Sequence, residues 1–360
     1  MKTYRPIGVL AMSYGSPACM DEVREYYTDI RHGRQPSQTE VEELMMRYEA
    51  IGGLSPLSQR TQAQLDGLAA RLDALYGEGS YVVAAGTKHS KPSIEDGISA
   101  LGRAGVRKAV GLVLAPHYSA MSVGEYERRA IMAARAVKPA IDLQMVRSWH
   151  LHPGLITLLA ARVREAFSRL DGPTRKEEPA QDREGLTEPD GTGCGTTPED
   201  PSRPKAPVLF SAHSLPIKVL TTGDAYPAQL RASATAIADL AGVTCWRLAW
   251  QSAGRSHEPW IGPDLSETVK DLARNGTGRC VVCPQGFVSD HLEILYDIDI
   301  LARNVALAHG LELVRTASLN DDPQLIAVLA DVVATAATSM GAAVKRSPFP
   351  GSGGSSLELR

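Results

Sequence analysis

Val208-Leu209-Phe210-Ser211-Ala212-His213-Ser214-Leu215-Pro216 is an apolar run that turns polar and stops at a proline. It reads as a buried strand over Val208–Ser211, followed by a loop that carries His213. Arg279-Cys280-Val281-Val282-Cys283 is a second such run, and a few residues later comes Phe287-Val288-Ser289-Asp290-His291-Leu292-Glu293. Strands apolar on both faces belong in parallel sheets covered by helices. Ligands of such sheets bind at the carboxyl ends of the strands. An imidazole that titrates near neutrality and a carboxylate, delivered from two strands to that edge, suit the movement of protons off a bound molecule.

The same pattern extends along the chain. Strands are expected at Ile7–Ser13, Tyr81–Gly86, Ala109–Ala115, Asp142–Arg147, Val208–Ser211, Cys245–Trp250, Cys280–Cys283 and Leu311–Thr316. Helical periodicity separates them at Gln62–Leu75, Ile94–Ala104, Ser122–Ala136, Gly154–Leu170, Pro227–Leu240, Leu265–Arg274, Leu292–His309 and Gln324–Ser339. Strand and helix in alternation predict an α/β protein of two similar Rossmann-like lobes, each a four-stranded parallel sheet flanked by helices. The expected division is an N-terminal lobe over 1–150, a connecting helix over 151–170, a C-terminal lobe over 208–340 and a flexible tail over 341–360. Residues 171–207, rich in Pro, Gly, Thr, Glu and Asp without apolar periodicity, read as a disordered insertion or surface loop.

Bulk composition narrows the function classes. A formal net charge of −3 provides no electrostatic case for nucleic acid. The first apolar run, from Ile7, is too short for a secretion signal or a membrane span, so a cytoplasmic protein is expected. The five cysteines, Cys19, Cys194, Cys245, Cys280 and Cys283, are odd in number and scattered, which argues against a disulfide framework. Cys280 and Cys283 lie three apart on a strand and point to opposite faces, so they are expected to be core thiols.

With these segments aligned, the chain resembles a ferrochelatase, and most closely the coproporphyrin ferrochelatases of Gram-positive bacteria. The resemblance rests on Ala11-Met12-Ser13-Tyr14-Gly15-Ser16-Pro17, Arg47-Tyr48-Glu49-Ala50-Ile51-Gly52-Gly53-Leu54-Ser55-Pro56-Leu57 and Leu114-Ala115-Pro116-His117-Tyr118-Ser119. It continues through Ser211–Pro216, Trp250-Gln251-Ser252, Pro259-Trp260-Ile261-Gly262-Pro263-Asp264 and Gly286–Glu293. The resemblance implies a chelatase-type fold that inserts ferrous iron into coproporphyrin III, forms coproheme for haem synthesis and releases two protons. It implies His213 as proton acceptor, Glu293 as its relay, and His213, Glu293 and Tyr14 as groups that meet the metal. It also implies Tyr14, Arg31, Arg47, Ser55 and Tyr126 as porphyrin-binding residues, the arginines taking propionates. His89 reads equally as a cleft residue or a structural one, His117 as a strand-end hydrogen-bonder rather than a ligand, and His291 as structural or as a support behind the site.

Iron is then a substrate, and no organic cofactor is expected. Some relatives carry an acidic line at four-residue steps from the catalytic Glu; here Asp297 continues it, but Leu301 interrupts it and leaves Asp299 nearby. No cysteine follows Cys283, so the iron–sulfur cluster of some actinobacterial relatives is not expected. The segment Met20–Gln38 is charged where protoporphyrin enzymes usually carry an apolar lip, which favours the more polar porphyrin. A protoporphyrin IX ferrochelatase and a non-catalytic porphyrin or coproheme carrier are the alternatives. A monomer with no stable membrane insertion is expected, making at most transient contact with other haem-pathway enzymes.

Overall fold

The computed structural model describes residues 5–171, 206–254 and 258–341. The expected insertion over 171–207 and the expected tail over 341–360 lie almost wholly outside the described residues. Eight strands form two sheets: β1 Ile7–Ser13, β2 Tyr81–Thr87, β3 Lys108–Val113 and β4 Asp142–Val146, then β5 Val208–His213, β6 Trp246–Gln251, β7 Arg279–Cys283 and β8 Glu312–Arg315. Every pairing is parallel, in the orders β2-β1-β3-β4 and β6-β5-β7-β8. The expected fold class holds, and the shared order makes the second sheet a repeat of the first. In each, the chain leaves the first strand to one side and returns on the other. That reversal opens a crevice at the carboxyl ends of β1 and β3, and likewise of β5 and β7.

The helices are α1 Val23–Ile30, α2 Gln38–Ala50, α3 Leu57–Tyr76, α4 Ile94–Arg103, α5 Val123–Ala136, α6 Pro153–Leu170, α7 Lys218–Thr221, α8 Tyr226–Ala241, α9 Leu265–Arg274, α10 Arg303–Ala308 and α11 Pro323–Ser339. All seven residues of β1 are buried, as expected for a central strand with helices on both sides. The core of the first sheet packs Leu10 and Met12 against Ile94, Ile98 and Leu101 of α4 and Val123 of α5. In the second, Leu209 and Val282 meet Leu265, Val269 and Leu272 of α9 and Ile294 and Ile298. Cys280 and Cys283 are buried thiols on β7, each pushed up to about 12 by burial, as expected of core cysteines. Among the described residues no helix is long and apolar enough to cross a membrane.

Four features differ from the sequence expectation. Strand β5 runs on to His213, because Ala212 and His213 still pair with Trp250 and Gln251 of β6; His213 therefore ends a strand rather than riding a loop. Helices α1 and α2 escape a search for apolar periodicity because they are highly charged, with buried anchors such as Val23 and Tyr26, then Val41 and Tyr48. The region Leu292–His309 is not a plain α-helix: Ile294–Ala302 is a π-helix, and α10 follows it. Its i→i+5 ladder, seen in the Arg303 N–H donating to the Ile298 carbonyl, is one residue wider per turn than an α-helix.

The fourth difference concerns the units. The described residues of Met1–Glu43, Pro56–Trp149 and Asn320–Arg360 form one, and those of Leu44–Ser55 and His150–Leu319 form the other. The expected boundaries at 150 and 340 thus place α11 with the wrong partner. Its side chains pack on α3, where Gly67 leaves room for Ile326; a Cβ there would stand 3.1 Å from Ile326 Cγ1. Gln64 Nε2 donates to the Asn320 carbonyl at 2.6 Å, and Arg60 pairs with Asp321 at 2.9 Å. Leu325, Leu329 and Val333 are buried with them, so α11 completes the first unit.

Candidate active site

In the second unit the site is built where β5 and β7 end. After β7 the chain turns across β5 at Gly286, whose N–H donates to the Ser211 carbonyl. A Cβ at Gly286 would stand 2.7 Å from Ala212 Cβ and 2.9 Å from its Cα, so no larger residue fits this crossing. The crossing delivers Glu293 to His213, with Nε2 and Oε1 3.6 Å apart. The Nδ1–H of His213 donates to the Ser214 carbonyl, which leaves Nε2 as the atom that faces the carboxylate. Burial pulls the His213 pKa down, but the charge and hydrogen bond of Glu293 and the Ser214 carbonyl outweigh it, and the imidazole rises to about 9. Burial likewise pushes Glu293 up, and His213 more than reverses it, to about 2. At neutral pH the pair is imidazolium and carboxylate.

Polar groups at the end of β6 hold the start of the π-helix. Ser211 Oγ donates to Gln251 Oε1 at 2.9 Å, which turns the Gln251 amide so that Nε2 donates to the Glu293 carbonyl at 3.2 Å. Ser252, at φ 58, directs its hydroxyl to Asp297 Oδ2 at 2.5 Å. A left-handed serine is strained and is worth attention at a site. Burial and the nearby Glu293 charge push Asp297 up to about 6, so it exchanges a proton near neutrality. Arg47 lies over the Tyr296 ring, 5.1 Å from its centroid. Ser55, half-buried, belongs to this unit too. His291 accepts the Glu293 N–H on Nδ1 and stacks edge-on to Phe287 at 4.8 Å, with burial lowering its pKa.

In the first unit, Tyr14 follows β1 directly and is 40% exposed. The Lys88 and His89 N–H groups donate to the Ser13 and Tyr14 carbonyls and tie the end of β2 beside it. The His89 ring lies 4.6 Å from the Tyr14 ring, and its Nδ1 is 2.6 Å from Asp29 Oδ2. The Lys88 ammonium lies 5.9 Å from the Tyr14 ring centroid, 5.6 Å from that of Tyr126, and 2.5 Å from the Glu125 carboxylate. Tyr126 on α5 is buried, which drives its phenol well above the usual range. Arg31 stacks on Tyr27 and is already hydrogen-bonded to Glu40.

Within the second unit the structure thus brings His213, Glu293 and Asp297 together, and within the first it gathers Tyr14, His89 and Tyr126 around Lys88. Lys88 and Asp29 were not singled out from sequence. Lys88 sits just past a strand end, the usual place to look, but nothing local marks Asp29.

The pKa shifts of the His213–Glu293 pair carry a stability signature. His213 is raised from 6.5 to about 9, so the stability it contributes is complete below about 6.5 and is lost as pH rises through about 9. Glu293 is lowered from 4.5 to about 2, so its share is complete above about 4.5 and is lost as pH falls through about 2. Both side chains are about a third exposed, at 35% and 34%, so water screens the pair and the effect is modest. Glu293→Gln is expected to lower Tm more at about pH 5.5 than at about pH 10. A Tm difference independent of pH across that range would show that the pair does not form.

A family model described as Ferrochelatase matches residues 6–337. The chain is 40% identical over 325 residues to a ferrochelatase of Herpetosiphon aurantiacus, covering 90% of this chain and 97% of that protein. It is 39% identical over 327 residues to the coproporphyrin III ferrochelatase of Geobacillus kaustophilus, covering 91% and 94%. A ferrochelatase of Thermus thermophilus is 39% identical over 349 residues, covering 92% and 99%. Among solved structures, SirB from Bacillus subtilis with Fe3+ shares the fold at a TM-score of 0.52 and 12% identity, over 93% of this chain and 98% of that one. The family model and these relatives, each matched over nine-tenths of the chain, show that the chain belongs to the ferrochelatase family.

Proposed function

We propose that the protein inserts ferrous iron into coproporphyrin III, forming iron coproporphyrin III and releasing the two pyrrole protons. The observation that carries this reading is the His213–Glu293 pair at the carboxyl edge of β5. Resting His213 holds a proton on Nε2. A dication held at the Glu293 carboxylate would lower the His213 pKa and send the Nε2 proton to solvent; once the metal passes to the macrocycle, that freed Nε2 lone pair can take a pyrrole proton. Asp297, near its titration point and hydrogen-bonded to Ser252, is the next acceptor along the helix. Two ligands of mixed type hold iron loosely enough for transfer, where a closed cage would retain it. Among the described residues, no three His, Cys, Asp or Glu side chains converge as such a cage. Tyr14, exposed after β1, is kept as a proposed metal-meeting group on the family resemblance alone.

Coproporphyrin III carries four propionates. Arg31 and Arg47 are the cations proposed to bind them, with Ser55 and Tyr126 as hydroxyl partners. The name of the Geobacillus kaustophilus relative and the charged Met20–Gln38 segment favour this substrate over protoporphyrin IX. The enzyme would act as a cytoplasmic monomer with no organic cofactor and no iron–sulfur cluster, meeting other haem-pathway enzymes only transiently. Anaerobic incubation with ferrous iron and either porphyrin, followed by the Soret shift, tests the reading. Each extra charge-assisted contact contributes about 1–3 kcal/mol, so kcat/KM for coproporphyrin III is expected to exceed that for protoporphyrin IX by roughly tenfold or more. Equal or reversed preference would move the assignment to the protoporphyrin enzyme. Tight binding of either porphyrin without insertion would identify a carrier.

A further inference from the structure

The π-helix that carries Glu293 and Asp297 is gripped from a second direction by Arg315, the last residue of β8. Its Nε and Nη2 donate to Asp299 Oδ1 and Oδ2 at 2.8 and 2.9 Å, a two-point fork on one carboxylate. Its Nη1 lies 3.3 Å from Asp290 Oδ1 and donates to Ser318 Oγ at 3.0 Å and to the Thr316 carbonyl at 3.2 Å. Ser318 Oγ closes the ring by donating to Asp290 Oδ1 at 2.7 Å. Every guanidinium nitrogen is used, and the Arg315 side chain is only 16% exposed. Asp299, which the sequence leaves beside the interrupted acidic line, is thereby committed to a structural partner.

The placement of the two carboxylates is informative. Asp290 precedes Glu293 by three residues and lies before the helix; Asp299 follows Glu293 by six and lies within the π-helical stretch. One rigid cation thus fixes the chain on both sides of Glu293. On the opposing approach, Gln251 holds the Glu293 carbonyl and Ser252 holds Asp297. A partly buried ion cluster is a poor way to gain stability compared with apolar packing. It is a good way to fix one geometry, because a planar fork binds a carboxylate in a single orientation. A π-helix is the less favoured ladder and needs such restraint to persist.

We propose that Arg315 is a positioning residue for the metal-insertion site: by pinning Asp290 and Asp299 it sets where the Glu293 carboxylate stands relative to His213. The proposal rests on the reading of Glu293 and His213 as the insertion pair. Lysine is the discriminating substitution, since it keeps the charge but has no fork to span two carboxylates.

In Arg315→Lys, kcat for iron insertion is expected to fall by at least about tenfold, because a reacting group displaced by an ångström costs that much or more. The Kd for coproporphyrin III, read by fluorescence quenching, is expected to stay within about twofold. Amide hydrogen exchange across Ile294–Ala302 is expected to quicken in the same variant, whether or not metal is present. Should Arg315→Lys fold poorly, the isosteric Asp299→Asn breaks one arm of the fork and is expected to show the same split. Parental kcat with parental exchange, or a loss of kcat matched by an equal loss of porphyrin affinity, would overturn the proposal. If the parent protein inserts iron into neither porphyrin, the functional reading fails. The exchange measurement then still decides the clamp: unchanged exchange across the π-helix in both variants refutes it.

Discussion

His213→Ala is expected to stop iron insertion while leaving coproporphyrin III affinity within about tenfold of the parent. The substitution removes the imidazole that faces the Glu293 carboxylate at 3.6 Å, which is also the first acceptor proposed for a pyrrole proton. Proton transfer by a positioned side chain contributes about 100- to 10,000-fold to a rate, so the loss belongs in kcat. Affinity is expected to survive because it comes from propionate contacts and burial of the macrocycle, neither of which His213 provides. The fold is expected to survive as well, since Ala212 and the β5–β6 pairing are unaffected. Anaerobic stopped-flow absorption at the Soret band measures the rate, and fluorescence titration measures the affinity. Turnover within a few-fold of the parent would remove His213 from the mechanism.

The second large effect concerns the propionates. Replacing Arg31 and Arg47 together with leucine is expected to cost about 2–6 kcal/mol of coproporphyrin binding, if each charge-assisted pair contributes about 1–3. That is roughly thirtyfold or more in Kd. Iron insertion into porphyrin already bound is expected to slow far less. The two arginines will not contribute equally, because they start from different states. Arg47 lies over an aromatic ring, whereas Arg31 must first release Glu40. Arg47→Leu alone is therefore expected to weaken binding more than Arg31→Leu alone, and Glu40→Gln, which frees Arg31, is expected to strengthen it. Unchanged affinity in the double variant would place the propionates elsewhere.

Much of this is legible in the sequence. Eight apolar runs separated by helical periodicity suffice for two parallel sheets, because side-chain alternation and strand length are local properties. Placing His213 and Glu293 at strand ends needed no more than the points where β5 and β7 become polar. Helices α1 and α2 were not legible, because their burial rests on a few residues such as Tyr26 and Tyr48 rather than on a full apolar stripe. The allegiance of α11 was not legible either: its apolar face would suit either sheet, and the approach of Ile326 to Gly67, with the Gln64–Asn320 and Arg60–Asp321 contacts, selects the first.

The sequence by itself determined which groups reach the working edges of the sheets. His213 ends β5, Tyr14 follows β1 and Glu293 opens the helix after β7, and their chemistry is fixed by residue type. Tertiary structure alone decided what state those groups are in. The protonation of His213 depends on a carboxylate 80 positions away in the chain, brought to 3.6 Å by the crossing at Gly286. The π-helix could not be read from Ile294–Ala302, whose apolar spacing also suits an α-helix. Asp299 looks free in the sequence and is held by Arg315; Arg31 looks free and is held by Glu40. The physical reason is the same in each case. Periodicity and residue type act over a few neighbouring residues, whereas pKa values, ion pairs and helix register depend on distances that only the packing of remote segments sets.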